Sequence, residues 1–215
     1  MPVQTFARIL VLMFAAVGVP AAAPAEPLRI VALGDSLTAG FGLPADQAFP
    51  QKLARALAER GTTATIVNAG VSGDTMSGGL ARLDWSVSDN TDAVIVELGA
   101  NDALRGIDPT ITRTALDAIL RRLRDRGVAV LLCGMRAPPN MGRDYASAFD
   151  ALFADLAKAY DVVFYPFFLD GVAAERGLNQ ADGLHPTAAG VDRIVARILP
   201  RVEELIARVK RRPNP

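Results

Sequence analysis

"LRIVALGDSLTAGFGLP" occupies residues 28–44, and its first half decides the fold. Ile30–Leu33 is an uninterrupted apolar run, stopped by Gly34-Asp35-Ser36 and followed by Gly40, Gly42 and Pro44. A short continuous run closed by turn residues suits a strand buried on both faces better than an amphipathic one. Four further runs have the same character: "ATIVNAG" (64–70), "AVIVELG" (93–99), "VAVLLCG" (128–134) and "VVFYPFF" (162–168). Helical spacing fills the gaps between them. "DQAFPQKLARALAER" (46–60) stops at Gly61, and "PTITRTALDAILRRLRDR" (109–126) opens on the N-cap pair Asp108-Pro109 and stops at Gly127. "RDYASAFDALFADLAKAY" (143–160) follows. A last helix begins at 187–198, is opened by Pro186 and extends past Pro200 with an expected kink. Strands alternating with helices predict an α/β fold, a parallel sheet covered on both faces.

The chain has 215 residues, 51% hydrophobic and 21% charged, which suits one sizeable domain. Lys+Arg and Asp+Glu both number 23, so no nucleic-acid partner is indicated. A single Cys excludes an internal disulfide framework, and Cys133 inside "VAVLLCG" suits a small core residue. One Cys and one His give no zinc pattern, so no metal is expected.

The first 25 residues read as an export signal. Arg8 supplies the positive n-region, "ILVLMFAAVGV" (9–19) the apolar h-region, and Ala23-Pro24-Ala25 a cleavage site before Glu26. The apolar run ends at Pro20, short of the roughly 20 residues that span a bilayer. The expectation is a periplasmic or secreted protein, cut after Ala25, with residues 26–215 as one domain and no lasting membrane span.

Ligands of open parallel sheets bind beyond the carboxyl ends of the strands. Ser36 follows the first run there, Gly73 in "NAGVSGDT" the second, and Asn101 in "ELGAND" the third. Singly these are ordinary loop residues: Asn101 could begin an Asx turn, and Asp74 or Thr75 could cap a helix. Near the C-terminus "ADGLHP" sets Asp182 three residues before His185, the sole histidine, close enough for the carboxylate to accept from Nδ1–H and leave Nε2 as a base. A serine hydroxyl needs such a base, and the oxyanion it generates needs preorganised donors. Together these residues supply both.

At this point the chain resembles the SGNH, or GDSL, hydrolases along nearly all of residues 26–215. "LGDSLTAGFG" is similar to the first family block, "VSGDT" to the second, "GAND" to the third and "DGLHP" to the fifth. "VELGANDALRG", "RAPPNMGRDYASAF" and "YPFFLDGVA" further resemble the branch of bacterial arylesterases and periplasmic multifunctional thioesterase–protease–lysophospholipase enzymes. Ala100 departs from that branch, where a second glycine is usual.

The resemblance implies a flavodoxin-like three-layer sandwich with a five-stranded sheet in the order 2-1-3-4-5. It implies Ser36 as nucleophile, His185 as base and Asp182 as its orienter. The oxyanion donors it implies are the backbone N–H groups of Ser36 and Gly73 and the Asn101 side chain. No cofactor is implied. The expected substrates are aryl esters, lysophospholipids and acyl thioesters, cleaved by a monomer.

Three other readings compete, one of them a binding protein of the same fold without catalysis. A carbohydrate-ester deacetylase uses the same blocks. A flavodoxin-like phosphate binder would place Mg²⁺ on Asp35 and Asp102, although the chain lacks GxxxxGK[ST] and GxGxxG.

Overall fold

The computed structural model describes residues 27–211, so the export signal read in residues 1–25 lies outside the described residues. Five parallel strands form one sheet: β1 (Leu28–Gly34), β2 (Ala64–Gly70), β3 (Ala93–Glu97), β4 (Ala129–Cys133) and β5 (Val163–Tyr165), in the order β2-β1-β3-β4-β5. This is the expected sheet and order.

Among the described residues seven α-helices lie between the strands and an eighth follows β5. They are α1 (Ser36–Ala39), α2 (Phe49–Glu59), α3 (Met76–Ala81), α4 (Leu83–Ser86), α5 (Ala100–Leu104), α6 (Pro109–Asp125), α7 (Arg143–Ala159) and α8 (Ala188–Lys210). α2 and α8 pack on each other, α8 meeting β4 and β5; α3, α6 and α7 form the other group, α6 and α7 also meeting β4. Among the described residues no helix is long and apolar enough to cross a membrane.

The central strands owe their place to composition. Every residue of β3 and β4 is buried, as are Ile30–Gly34 of β1. Fully burying a Val, Leu or Ile side chain contributes about 1.5–3 kcal/mol, so these β-branched and aliphatic runs have no stable place but the middle. "ATIVNAG" corrects the expectation of burial on both faces. β2 is the edge strand, and only Ile66 in it is buried. The apolar run looks the same in sequence; its neighbours differ.

Element ends also shift for identifiable reasons. β5 stops at Tyr165, not 168, because Pro166 brings no N–H to a ladder. The chain then turns back, and the Phe168 N–H donates to the Gly134 carbonyl at 2.9 Å. β3 stops at Glu97, and Gly99 takes φ +113° before α5. α8 starts at Ala188, with Thr187 as its N-cap in place of Pro186, and it contains Pro200. Pro186 lies instead in an isolated bridge with Asn179. Asp108 caps α6 through the Thr110 N–H, as the Asp-Pro pair predicts.

One row of residues runs straight across the carboxyl end of the sheet: Gly70, Gly34, Glu97, Cys133 and Tyr165 are register partners. The loops that leave this row carry Ser36, Gly73 and Asn101.

Candidate active site

Ser36 is the first residue of α1, two positions beyond the end of β1, the strand paired between β2 and β3. Asp35 caps this helix: its Oδ1 accepts the Leu37 N–H at 2.9 Å. Glu97 closes the turn from the adjacent strand, its Oε2 accepting from Thr38 Oγ1 at 2.7 Å. Gly34 is required by close approach. A Cβ there would lie 2.6 Å from Thr38 Cβ and 2.7 Å from Glu97 Oε2, nearer than side chains tolerate.

His185 arrives from the loop before α8, 149 residues further on, and its Nε2 lies 2.9 Å from Ser36 Oγ. Its Nδ1 lies 2.7 Å from Asp182 Oδ2. Asp182 Oδ1 also accepts the backbone N–H of Leu184 and of His185, at 2.9 and 3.0 Å. Those donors, the His185 backbone foremost, lower the Asp182 carboxyl to about 2. It is therefore ionised at ordinary pH and can only accept. His185 Nδ1 must then carry the proton, which leaves Nε2 of the neutral ring to accept from the Ser36 hydroxyl.

Phe41 packs on the imidazole, ring centroids 4.5 Å apart. Gln180 ties the two loops together. Its side chain donates to the Phe41 and Pro186 carbonyls at 2.8 and 3.0 Å, and its N–H donates to the His185 carbonyl at 2.7 Å.

The donor side is built on the second and third loops. Gly73 sits at φ +83° in a turn closed by the Asp74 N–H on the Val71 carbonyl. Thr75, of the two capping candidates, caps α3 by accepting the Gly78 N–H. Asn101 stands in the first turn of α5, and its Nδ2 donates to Asp35 Oδ2 at 3.1 Å and to the Asp74 carbonyl at 2.9 Å. Both amide hydrogens are held by neighbours, because Asp35 and Asp74 flank the side chain with acceptors.

The Mg²⁺ alternative loses its ligands. Asp102 is buried, with Oδ1 accepting from Thr112 Oγ1 and Oδ2 from the Met76 N–H, both at 2.9 Å. Asp35 is equally buried, and its two oxygens serve Leu37 and Asn101. Burial, above all, raises the Asp35 carboxyl to about 6, against the Leu37 and Asn101 hydrogen bonds. Burial and the Asp35 charge push Glu97 well above the usual carboxylate range. One further row member is a thiol: Cys133 is fully buried, and its pKa is pushed well up.

Residues 32–193 match the GDSL-like lipase/acylhydrolase family. The chain belongs to that family. Esterase TesA of Pseudomonas aeruginosa is 38% identical over 86% of this chain and 91% of its own length. Thioesterase 1/protease 1/lysophospholipase L1 of Escherichia coli K12 is 41% identical over 77% of each chain. Among solved structures, AlinE4, an SGNH-hydrolase family esterase, superposes with a TM-score of 0.72 at 45% identity, covering 85% of this chain and 98% of its own.

The matched range includes Ser36, Gly73, Asn101, Asp182 and His185. Glu97, Arg82, Arg105, Phe41 and Gln180 brace the site across gaps in sequence; Glu97, Arg105 and Phe41 lie within the stretches that carry the family resemblance, but nothing in those stretches marks these contacts. The only local signal was Gly34 itself, whose missing side chain leaves room for Glu97 and Thr38.

Proposed function

We propose that the protein hydrolyses carboxylic esters and thioesters through an acyl-enzyme on Ser36. The observation that carries this reading is the unbroken line Ser36 Oγ – His185 Nε2 – His185 Nδ1 – Asp182 Oδ2, at 2.9 and 2.7 Å. His185 takes the hydroxyl proton as Ser36 Oγ attacks the carbonyl carbon, and Asp182 stabilises the imidazolium that forms. The N–H groups of Ser36 and Gly73 receive the developing oxyanion. The Asn101 amide joins them as the anion competes with Asp35 Oδ2 and the Asp74 carbonyl for its hydrogens. His185 then gives its proton to the leaving alcohol or thiol. Water, activated by the same nitrogen, frees the acid from Ser36.

Substrate class follows from location. Residues 1–25 are read as a signal cleaved before Glu26, so the mature protein works outside the cytosol. Acyl-CoA is mainly cytosolic. Esters and lysophospholipids are therefore the favoured natural substrates, with thioester cleavage as a capability. The names of the relatives, esterase and thioesterase/lysophospholipase, support this range.

The test is labelling by a fluorophosphonate and release of p-nitrophenol from its butyrate ester. Wild type should show both, and Ser36→Ala neither. Full activity in Ser36→Ala overturns the assignment. N-terminal sequencing of the exported protein should begin at Glu26.

A further inference from the structure

The Gly73–Asp74 segment is unusually well held. Arg105 Nη2 donates to the Gly73 carbonyl at 2.8 Å. Asn101 donates to the Asp74 carbonyl, and the Asp74 N–H is spent on Val71. Arg82, its side chain only 14% exposed, grips the Asp74 carboxylate through Nε at 2.7 Å. The same guanidinium donates to the Gly34 carbonyl at 2.8 Å, to the Ala69 carbonyl at 2.9 Å and to Ser86 Oγ at 3.0 Å. One side chain thus joins the end of β1, two residues before Ser36, to the end of β2 and to the loop that carries Gly73. With these partners assigned, the Gly73 N–H is the backbone polar group of the segment left for a ligand.

The direction of that N–H depends on the turn. A positive φ at the third position marks a type II turn, and type I differs by a flip of the central peptide, here Ser72–Gly73. Glycine adopts the positive φ without strain, which lets the Gly73 N–H face away from its type I direction. The Gly73 carbonyl belongs to the next peptide, so the Arg105 contact fixes where the turn stands relative to Ser36, and with it the reach of the Gly73 N–H.

We propose that Arg105 and Arg82 are positioning residues that lock the Gly73–Asp74 turn and so aim the Gly73 N–H at the carbonyl attacked by Ser36. The inference rests on the function proposed above. Arg105 holds the carbonyl side of the turn from α5, and Arg82 fixes its distance from the nucleophile strand. Neither guanidinium touches the reacting atoms.

Arg105 is exposed, at the end of a short helix, so its replacement leaves the core intact. Arg105→Met and Arg105→Lys are compared with wild type on p-nitrophenyl butyrate, and for binding of an alkyl trifluoromethyl ketone, whose adduct with Ser36 places an oxyanion in the donor set. Arg105→Met should keep its melting temperature and lose about tenfold in kcat with KM little changed, less than the 10²–10³ expected for deleting a donor outright. Ketone affinity should fall by about the same factor, because the adduct reads the same donor. Arg105→Lys, which keeps a cation able to reach the carbonyl, should recover part of both. Arg82→Lys should move kcat and ketone affinity in the same direction.

Unchanged kcat in Arg105→Met overturns the proposal. So does a raised KM at constant kcat, which would make the guanidinium a substrate contact, and so does a loss of kcat with ketone affinity intact. If wild type neither cleaves the ester nor binds the ketone, the proposed function fails first and this inference with it.

Discussion

Asn101 Nδ2 donates to Asp35 Oδ2 across 3.1 Å, so the amide proposed to steady the oxyanion is parked on the neighbour of the nucleophile. The Asp74 carbonyl takes its second hydrogen. The arrangement keeps the amide oriented in the free protein, and a charged substrate oxygen competes with both acceptors for its hydrogens. Asn101→Ala removes the donor while leaving α5 and the Asp35 cap on Leu37 in place. Turnover of p-nitrophenyl butyrate should fall by roughly 10²–10³, with a far smaller change in KM. Steady-state kinetics decides it; a variant as active as wild type would exclude Asn101 from the donor set.

Asp35 also gives stability a pH dependence of unusual sign. Burial is the main cause of its rise from 3.8 to about 6, and the Asp74 charge adds to it. The Leu37 and Asn101 hydrogen bonds and His185 oppose it. The folded carboxyl therefore holds its proton more tightly than the unfolded one. Its contribution is fully present below about pH 4 and is lost as pH rises through about 6, a change of roughly 3 kcal/mol. Glu97, also raised by burial, acts in the same direction, whereas Asp182, lowered to about 2, loses its contribution only in strong acid. Asp35→Asn keeps a capping oxygen and cannot titrate. Urea unfolding at pH 4.5 and 7 should show the stability of Asp35→Asn, relative to wild type, growing by about 1–3 kcal/mol toward pH 7. A difference that does not vary with pH would count against a buried, titrating Asp35.

How much of this was legible in the sequence depends on the range of each interaction. Ser36, Gly73, Asn101, Asp182 and His185 each sit in a compact motif, and strand periodicity places the first three at the same edge of the sheet. Asp182 and His185 are close because three residues and two backbone hydrogen bonds bring them together. The supports are different. Thr38 meets Glu97 across 59 residues, and Arg82 meets Gly34 across 48. No local pattern distinguishes those side chains from solvated ones. Strand β2 escaped for a related reason: edge and centre strands can share one apolar pattern, and only the order of the sheet separates them.

Gly34 is the position where the sheet and the site constrain each other most tightly. A methyl group there would press on Thr38 and on the Glu97 carboxyl, both fully buried. Neither can move into solvent, so the turn under Ser36 must shift. Overpacking of this kind costs about 1–3 kcal/mol. For a domain of this size that is a drop of roughly 2–12 °C in melting temperature. Gly34→Ala should show that drop by calorimetry together with a loss of kcat, since Ser36 moves with Asp35. A variant with wild-type melting and activity would show that the turn has more room than the geometry allows.

Asp182→Asn tests orientation apart from charge. An asparagine keeps the side-chain oxygen that accepts from the Leu184 and His185 N–H groups, so the loop should retain its shape. Toward the imidazole it can present an amide N–H instead of a carboxylate oxygen. Nδ1 then becomes the acceptor, the proton moves to Nε2, and Nε2 faces Ser36 Oγ as a donor. The serine has lost its base although every atom remains within reach. Activity should fall by about 10³–10⁴ at neutral pH, with melting temperature nearly unchanged. Asp182→Ala loses the backbone contacts as well, so it should pair a comparable loss of activity with a measurable loss of stability. The contrast separates the two jobs of this carboxylate: if Asp182→Asn stays within about tenfold of wild type, the 2.7 Å contact to Nδ1 holds the loop and does not set the tautomer.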